Sequence, residues 1–341
     1  MTAALLEHKT IELRLRHTWT IARNSSRLKR NVLTRLRHGG IEGWGEAAPN
    51  PRYGEDAESV ARALDALAPR LADDPARLDA ILDRVEAALP GSPSARAAID
   101  IALHDWAGRS SGLPLYRLLG TDPRRTPSTA LSIGIDAIPV MQQKVREAGD
   151  VPVLKIKVGL KDDRAILEGI RAVTGKPLWV DANEGWSDPA RAVEMIKWMQ
   201  GMGVVLVEQP LPAADLEGAR FVRERVDLPV FADEAALIPA DLPRLAGAYD
   251  GINVKLQKAG GLRAARRMID AARESGLKVM LGCMIETSIG ITAAAHLSPL
   301  ADLADLDGHL LIENDPFDGV QVRQGRLILA DRPGLGLAGT W

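Results

Sequence analysis

The sequence predicts an α/β protein in which a (β/α) barrel follows a smaller α+β domain, and three observations predict it. Short apolar runs end in charged residues at a near-constant interval: Lys155 with Lys157, then Asp181, Glu208, Asp233 and Lys255, and two intervals on Asp305 with Asp307. Single steps of 22 to 27 residues suit a repeating unit of strand, loop and helix. The segment before this repeat has a different texture, alternating first and helical afterwards. The length of 341 residues holds one barrel of about 250 residues and a smaller domain.

In chain order, residues 9–17 and 31–37 alternate apolar and polar, and the second run meets IEGWGEA across His38-Gly39-Gly40 as a hairpin, giving a three-stranded meander. Three segments with apolar residues at i, i+3, i+4 spacing follow: EDAESVARALDALAPRL, PARLDAILDRVEAAL and PSARAAIDIALHDWAGR, the last two opened by Pro. From about Thr126 strands and helices alternate, with LSIGI, VLKIKVG, PLWVDAN, VVLVEQP, PVFADE, INVKL, KVMLGC and a weak run at residues 302–307 as strands. Near-continuous apolar runs are expected of parallel strands buried on both faces. After Asp315 the chain alternates again around a Gly turn, which no further strand-helix unit would do, and is expected to return to the first domain.

A net charge of −2, from 43 basic and 45 acidic residues, argues against nucleic acid or an anionic membrane as partner and for a small-molecule ligand. Nothing in the composition opposes a homo-oligomer. Cys283 is the single cysteine, so neither an internal disulfide nor a cysteine-based zinc cluster is available. The first residues lack an apolar core of signal-peptide length and no run of about 18 apolar residues occurs, so a cytoplasmic protein is expected.

Barrels place their chemistry at the carboxyl ends of the strands. Asp181, Glu208 and Asp233, ending three successive strands in VDAN, VEQP and ADE, would converge and repel one another unless a hard cation such as Mg²⁺ lay between them. Lys155 and Lys157 share one strand face, and Lys255 ends the strand diametrically opposite in an eight-stranded barrel, which is a two-base geometry. Neighbouring ammonium groups beside a cation are expected to depress one another's pKa toward the range of a general base.

KIKVG, VDAN, VEQP, ADE and NVKL, in this order, resemble the enolase superfamily, muconate lactonizing enzyme subgroup, and the resemblance covers nearly the whole chain. It implies a modified (β/α)7β barrel at residues 123–312, an α+β capping domain at 1–122, and a tail at 313–341 that returns to the cap. It further implies Mg²⁺ on Asp181, Glu208 and Asp233, Lys157 and Lys255 as the acid/base pair, and Lys155 on the substrate carboxylate. In ADLDGHLLI, Asp305 and Asp307 resemble the pair with which dipeptide epimerases grip an α-ammonium. TIARNSSR resembles the first loop of L-Ala-D/L-Glu epimerases, where Arg23 would pair with the glutamate side chain. PRYGED resembles their second loop, and CMIETSIG would supply contacts from Cys283 and Ile285. Asn24 stands where relatives often carry Gly, and Ala130 where a hydroxyl residue is common.

The function implied is a Mg²⁺-dependent dipeptide epimerase, in relatives of this kind a part of murein-peptide recycling. The rivals are an N-acylamino acid racemase, an o-succinylbenzoate synthase or a cycloisomerase, which the DxD disfavours, and a non-catalytic ligand-binding barrel, which would have no reason to keep such costly buried charges.

Overall fold

The computed structural model describes residues 4–71 and 74–341. Strands β1 (Leu5–Ile21), β2 (Asn24–His38) and β3 (Ile41–Ala47) form the antiparallel meander. Gly39 and Gly40 both adopt positive φ, 59° and 78°, as a two-residue turn between twisted strands requires. β1 and β2 run well past the alternating segments read from the sequence. A register shift between Arg14 and Trp19 separates the part of the hairpin that packs in the cap from an outer arm, whose tip is Ala22-Arg23. The arm alternates poorly because its two faces are not one buried and one solvated.

The meander packs on helix Pro93–Ser111, whose small residues Ala95, Ala97, Ala98 and Ala102 let the sheet approach closely. A Cβ on Gly43 or Gly45 would run into the carbonyl oxygens of Ala102 and Ala98, and Thr34 Oγ1 donates to Ala98 O at 3.0 Å. Helices Ala57–Leu67 and Leu78–Ala88 complete the cap. The second begins three residues later than its sequence suggests, because Pro75 opens a single 3-10 turn instead.

Eight parallel strands follow in sequential order: β4 (Leu131–Ile133), β5 (Leu154–Lys157), β6 (Leu178–Asp181), β7 (Val204–Glu208), β8 (Val230–Ala232), β9 (Gly251–Lys255), β10 (Lys278–Gly282) and β11 (Leu303–Asp305). A bridge between Thr129 and Ala304 joins the first to the last, with Ala130 N donating to Ala304 O at 3.0 Å. Helices lie between successive strands, that between β8 and β9 reduced to one turn, Leu242–Leu245. This is the (β/α)7β arrangement.

Ala130, Val153, Trp179, Leu206, Phe231 and Met280 fill the barrel with an apolar plug. Because inward-facing positions recur every second residue, two residues further along most of these strands lies the next inward layer: Ser132, Lys155, Asp181, Glu208 and Asp233. The plug is the dry floor of the site. Beyond β11 the chain places Phe317 and Trp341 against Trp44 of the cap, each with ring centroids 5.0 Å away, while Gly334 O accepts from Leu115 N at 2.8 Å. The same tail also touches the barrel, where Gly325 O accepts from Thr129 N at 2.8 Å.

If contact between meander and helix sets Gly45, Gly45→Ala should destabilise the protein by about 1–3 kcal/mol, the usual cost of overpacking. Urea unfolding measures this, and unchanged stability would show that the sheet has room to give.

Candidate active site and metal centre

Asp181, Glu208 and Asp233 each aim a carboxylate oxygen at one point, all within 4.8 Å of one another, and all three side chains are buried. Lysines answer them. Lys155 Nζ lies 2.7 Å from Asp305, 2.8 Å from Glu208 and 3.2 Å from Asp181, and Lys157 Nζ lies 2.6 Å from Asp181. Asp233 takes Lys255 at 2.8 Å and Lys258 at 2.5 Å. Lys258, one turn after Lys255, also donates to the carbonyls of Asp233 and Asn253, at 2.6 and 3.0 Å. It was missed in the sequence, where KLQK carries only a faint signal.

The charges shape one another. Burial acts to raise the Asp181 carboxyl, but Lys157 and Lys155 outweigh it and hold the group below the usual range; Lys255 and Lys258 do the same for Asp233. Glu208 is less well compensated. Burial, reinforced by Asp181 and Asp233 and only partly opposed by Lys155, pushes it up to about 7. Its Oε1 accepts from Asn253 Nδ2 at 2.9 Å, whereas Oε2, near Lys155, lacks hydrogen-bond geometry. A Cβ on Gly282 would collide with Asn253, so this position leaves room for the group that steers Glu208. A buried, all-oxygen set with one under-compensated carboxylate fits a hard divalent cation.

Two of the lysines are shaped in turn by these carboxylates. Burial would lower Lys155 and Lys255, yet for Lys155 the Asp305, Glu208 and Asp181 carboxylates, and for Lys255 chiefly Asp233, prevail and raise both above the ordinary lysine range. In this arrangement the nearest neighbours of each ammonium are carboxylates, so no depression arises without a cation to compete for those oxygens.

Backbone strain gathers at the same rim. Asn183, Glu184 and Gln209 take positive φ, 46°, 66° and 35°, just after Asp181 and Glu208. The strain is supported: Asn183 N donates to Asp181 Oδ1 at 2.9 Å, and Gln209 Oε1 accepts from Asp233 N at 2.9 Å. β5 and β9 stand four strands apart in the eight-stranded ring, so Lys157 and Lys255 reach the cavity from opposite walls. Lys157 Nζ lies 5.8 Å from the Trp19 ring centroid, beneath the arm.

Asp305 and Asp307 meet at the β11 end. Asp307 Oδ2 accepts from Ser132 N at 2.6 Å, and Ser132 Oγ donates to Asp305 Oδ1 at 3.4 Å. Burial and Asp305 push Asp307 up to about 6. The hydroxyl residue of the first barrel strand is therefore Ser132; Ala130 lies one layer deeper, in the plug, and its lack of a hydroxyl says nothing about the site. Cys283 Sγ lies 3.2 Å from Asp305 O, and Ile285 packs with Leu13, Leu15 and Ile312 while its carbonyl accepts from Asn31 at 3.0 Å; both line the cavity.

Arg23, at the tip of the arm, also lines the cavity, but it is not an open cation. Its guanidinium donates to Asn183 O at 2.6 Å, Glu184 at 2.9 Å and Glu234 at 2.6 Å. Asn24 follows it at the cavity edge. Arg52, from PRYGED, grips Glu184 with two contacts of 2.9 Å, and its neighbour Tyr53 faces the cavity. Glu184 thus ties both cap loops to the barrel. Nothing in its sequence context announced that role, since its partners in the cap, Arg23 and Arg52, lie more than 130 residues away.

Among the described residues no helix is long and apolar enough to cross a membrane. Residues 140–339 match the family described as enolase C-terminal domain-like, and residues 7–120 match the mandelate racemase / muconate lactonizing enzyme N-terminal domain. The chain is 43% identical over 327 residues to an L-Ala-D/L-Glu epimerase of Bacteroides thetaiotaomicron, covering 96% of this chain and 85% of that one. Its fold matches the substrate-liganded L-Ala-D/L-Glu epimerase of Bacillus subtilis with a TM-score of 0.93 and 33% identity, over 99% of each chain. It also matches the dipeptide epimerase of Enterococcus faecalis V583 in complex with Mg and L-Leu-L-Tyr, with a TM-score of 0.92 and 32% identity, over 99% of this chain and 100% of that one.

Because Glu208 titrates near 7 before a cation arrives, binding Mg²⁺ near neutrality should expel a proton. The sign follows from the raised pKa: below about 7 a proton occupies the carboxylate and Mg²⁺ affinity should fall, up to about tenfold per pH unit, whereas well above 7 it should level off. Calorimetric titration in buffers of different ionisation enthalpy reads both. Affinity independent of pH between 6 and 8 would contradict the assignment.

Proposed function

This chain belongs to the mandelate racemase / muconate lactonizing enzyme family of the enolase superfamily, and on that footing we propose that it is a Mg²⁺-dependent dipeptide epimerase, with L-Ala-D/L-Glu as its substrate. The observation that carries this reading is that one cavity holds lysines from opposed strands and, at the β11 end, the carboxylate pair Asp305 and Asp307. An isomerase needing only a carboxylic acid has no use for that pair; a free dipeptide, with an ammonium two bonds beyond its peptide carbonyl carbon, does.

Held by Asp181, Glu208 and Asp233, Mg²⁺ would supply positive charge against the substrate carboxylate and so make the adjacent α-proton removable. Lys155 adds a second positive charge to the same carboxylate. Lys157 and Lys255 act on the α-carbon from opposite faces, one taking the proton and the other returning one, and removal on one face with delivery on the other inverts the centre. The enediolate formed between these two steps is stabilised by charge already fixed in place before substrate arrives. Asp305 and Asp307 receive the α-ammonium, with Ser132 holding Asp307 in position. Cys283 and Ile285 wall the cavity, and Arg23 fastens the arm over its mouth. The protein acts in the cytoplasm, recycling murein peptides.

Two sets of variants test this reading. Lys157→Ala and Lys255→Ala should each lower epimerisation by roughly 10²- to 10⁴-fold, while each keeps α-proton exchange with solvent from one stereoisomer and the two variants keep opposite isomers. Loss of exchange from the same isomer in both would contradict opposed bases. Asp307→Asn should lower kcat/KM for a free dipeptide far more than for its N-acetylated analogue, and equal losses would favour an N-acylamino acid racemase.

A further inference from the structure

The cations facing the cavity are nearly all taken. Lys157 is held by Asp181, Lys255 by Asp233, and Arg23 by Glu184 and Glu234. Lys29 is different: it lines the same cavity, yet among the described residues its ammonium has no carboxylate or hydrogen-bond partner. It stands on β2 opposite Leu13, and side chains directly opposed in an antiparallel pair share a face. Leu13 is fully buried with Leu15, Ile285 and Ile312, on the side of the cap that meets the barrel, so Lys29 is directed inward and not to solvent. Asn31, two residues on and on the same face, reaches Ile285 O at 3.0 Å, which fixes that direction independently. Burial lowers the Lys29 pKa with no anion to oppose it. A half-buried ammonium without a partner is costly, and an arriving carboxylate would relieve the cost.

An acidic dipeptide brings two carboxylates and one ammonium. In the reading above, on which this inference rests, the α-carboxylate lies at the metal centre and Lys155 and the ammonium at Asp305 and Asp307. The remaining group is the side-chain carboxylate of the epimerised residue, and the remaining cation is Lys29. We infer that Lys29, and not Arg23, selects dipeptides whose second residue is acidic, while Arg23 is committed to closing the cap.

Steady-state kinetics on L-Ala-L-Glu and its neutral isostere L-Ala-L-Gln test this. Wild-type enzyme should favour L-Ala-L-Glu. Lys29→Met should lower kcat/KM for L-Ala-L-Glu by roughly 10- to 100-fold, the worth of a charge-assisted contact, and leave L-Ala-L-Gln within about twofold, which also shows the variant is folded. Lys29→Arg should retain the preference, and Lys29→Glu should turn it toward L-Ala-L-Lys. Arg23→Met should slow both substrates alike. Equal losses on both substrates in Lys29→Met, no loss on either, a wild-type enzyme indifferent to the acidic side chain, or a selective loss confined to Arg23→Met would each overturn the inference. Turnover of L-Ala-L-Gln by wild type keeps that outcome separate from failure of the epimerase reading, which would abolish turnover of every dipeptide.

Discussion

Three carboxylates that must share one dry point govern this molecule. Asp181, Glu208 and Asp233 are 0 to 2% exposed, above a plug of buried apolar side chains that offers them no polar partner. Unopposed, such a cluster would unfold the barrel or force protonation. Lys155, Lys157, Lys255 and Lys258 provide the opposing charge, and the barrel makes their approach from several walls possible because its strands all end at one rim. The compensation is uneven. Asp181 and Asp233 are held below the usual carboxylate range while Glu208 is pushed up to about 7, and that imbalance suits the cluster to a divalent cation. Fixed positive charge around a substrate carboxylate is then a by-product of what keeps the barrel folded.

The cap serves this centre through buried polar ties. Glu46, at the end of β3, accepts from Asn31, from the backbone and hydroxyl of Thr287, and from Gly290 N, so it holds the segment that carries Cys283 and Ile285. Beside it Glu286 accepts from Met284 N and Gln257, and burial with the nearby Glu46 pushes it up to about 8. Asp100 receives Leu262 N and Arg263 N, at 2.7 and 3.2 Å, capping the first turn of helix Leu262–Glu274. Asp105 receives Trp44 N and Leu335 N, joining meander, helix and tail. Cap and barrel are separate in sequence pattern, but the Glu46 and Asp100 ties cross between them.

The barrel was legible because its period is imposed by geometry: one strand, one turn and one helix take about 25 residues, so charges at strand ends recur at that spacing. The acidic triad, the lysines and the DxD could be placed for that reason. Contacts between residues distant in sequence were not legible in this way. Arg23 reads as an open guanidinium until Glu184 and Glu234 are brought to it across the cap-barrel seam. Ala130 reads as a lost hydroxyl until the register shows that Ser132 is the residue at site level. Lys155 and Lys255 lie above the ordinary lysine range because carboxylates, not fellow lysines, are their closest charges, contacts that strand spacing alone does not reveal. Lys258 and Lys29 escaped notice since a lysine in a helix turn or an edge-like strand is ordinarily a solvated one.

This centre labilises the α-proton of a dipeptide's second residue on both faces. Proton NMR of L-Ala-L-Glu in deuterated water, with metal-depleted protein to which Mg²⁺ is then restored, tests it most directly. The α-proton signal of the second residue should disappear as deuterium enters, the L-Ala-D-Glu diastereomer should accumulate with it, the alanine α-proton should persist, and none of this should occur before Mg²⁺ is added. Exchange at the alanine, exchange that proceeds without a divalent cation, or a second-residue α-proton that survives with Mg²⁺ present would contradict it.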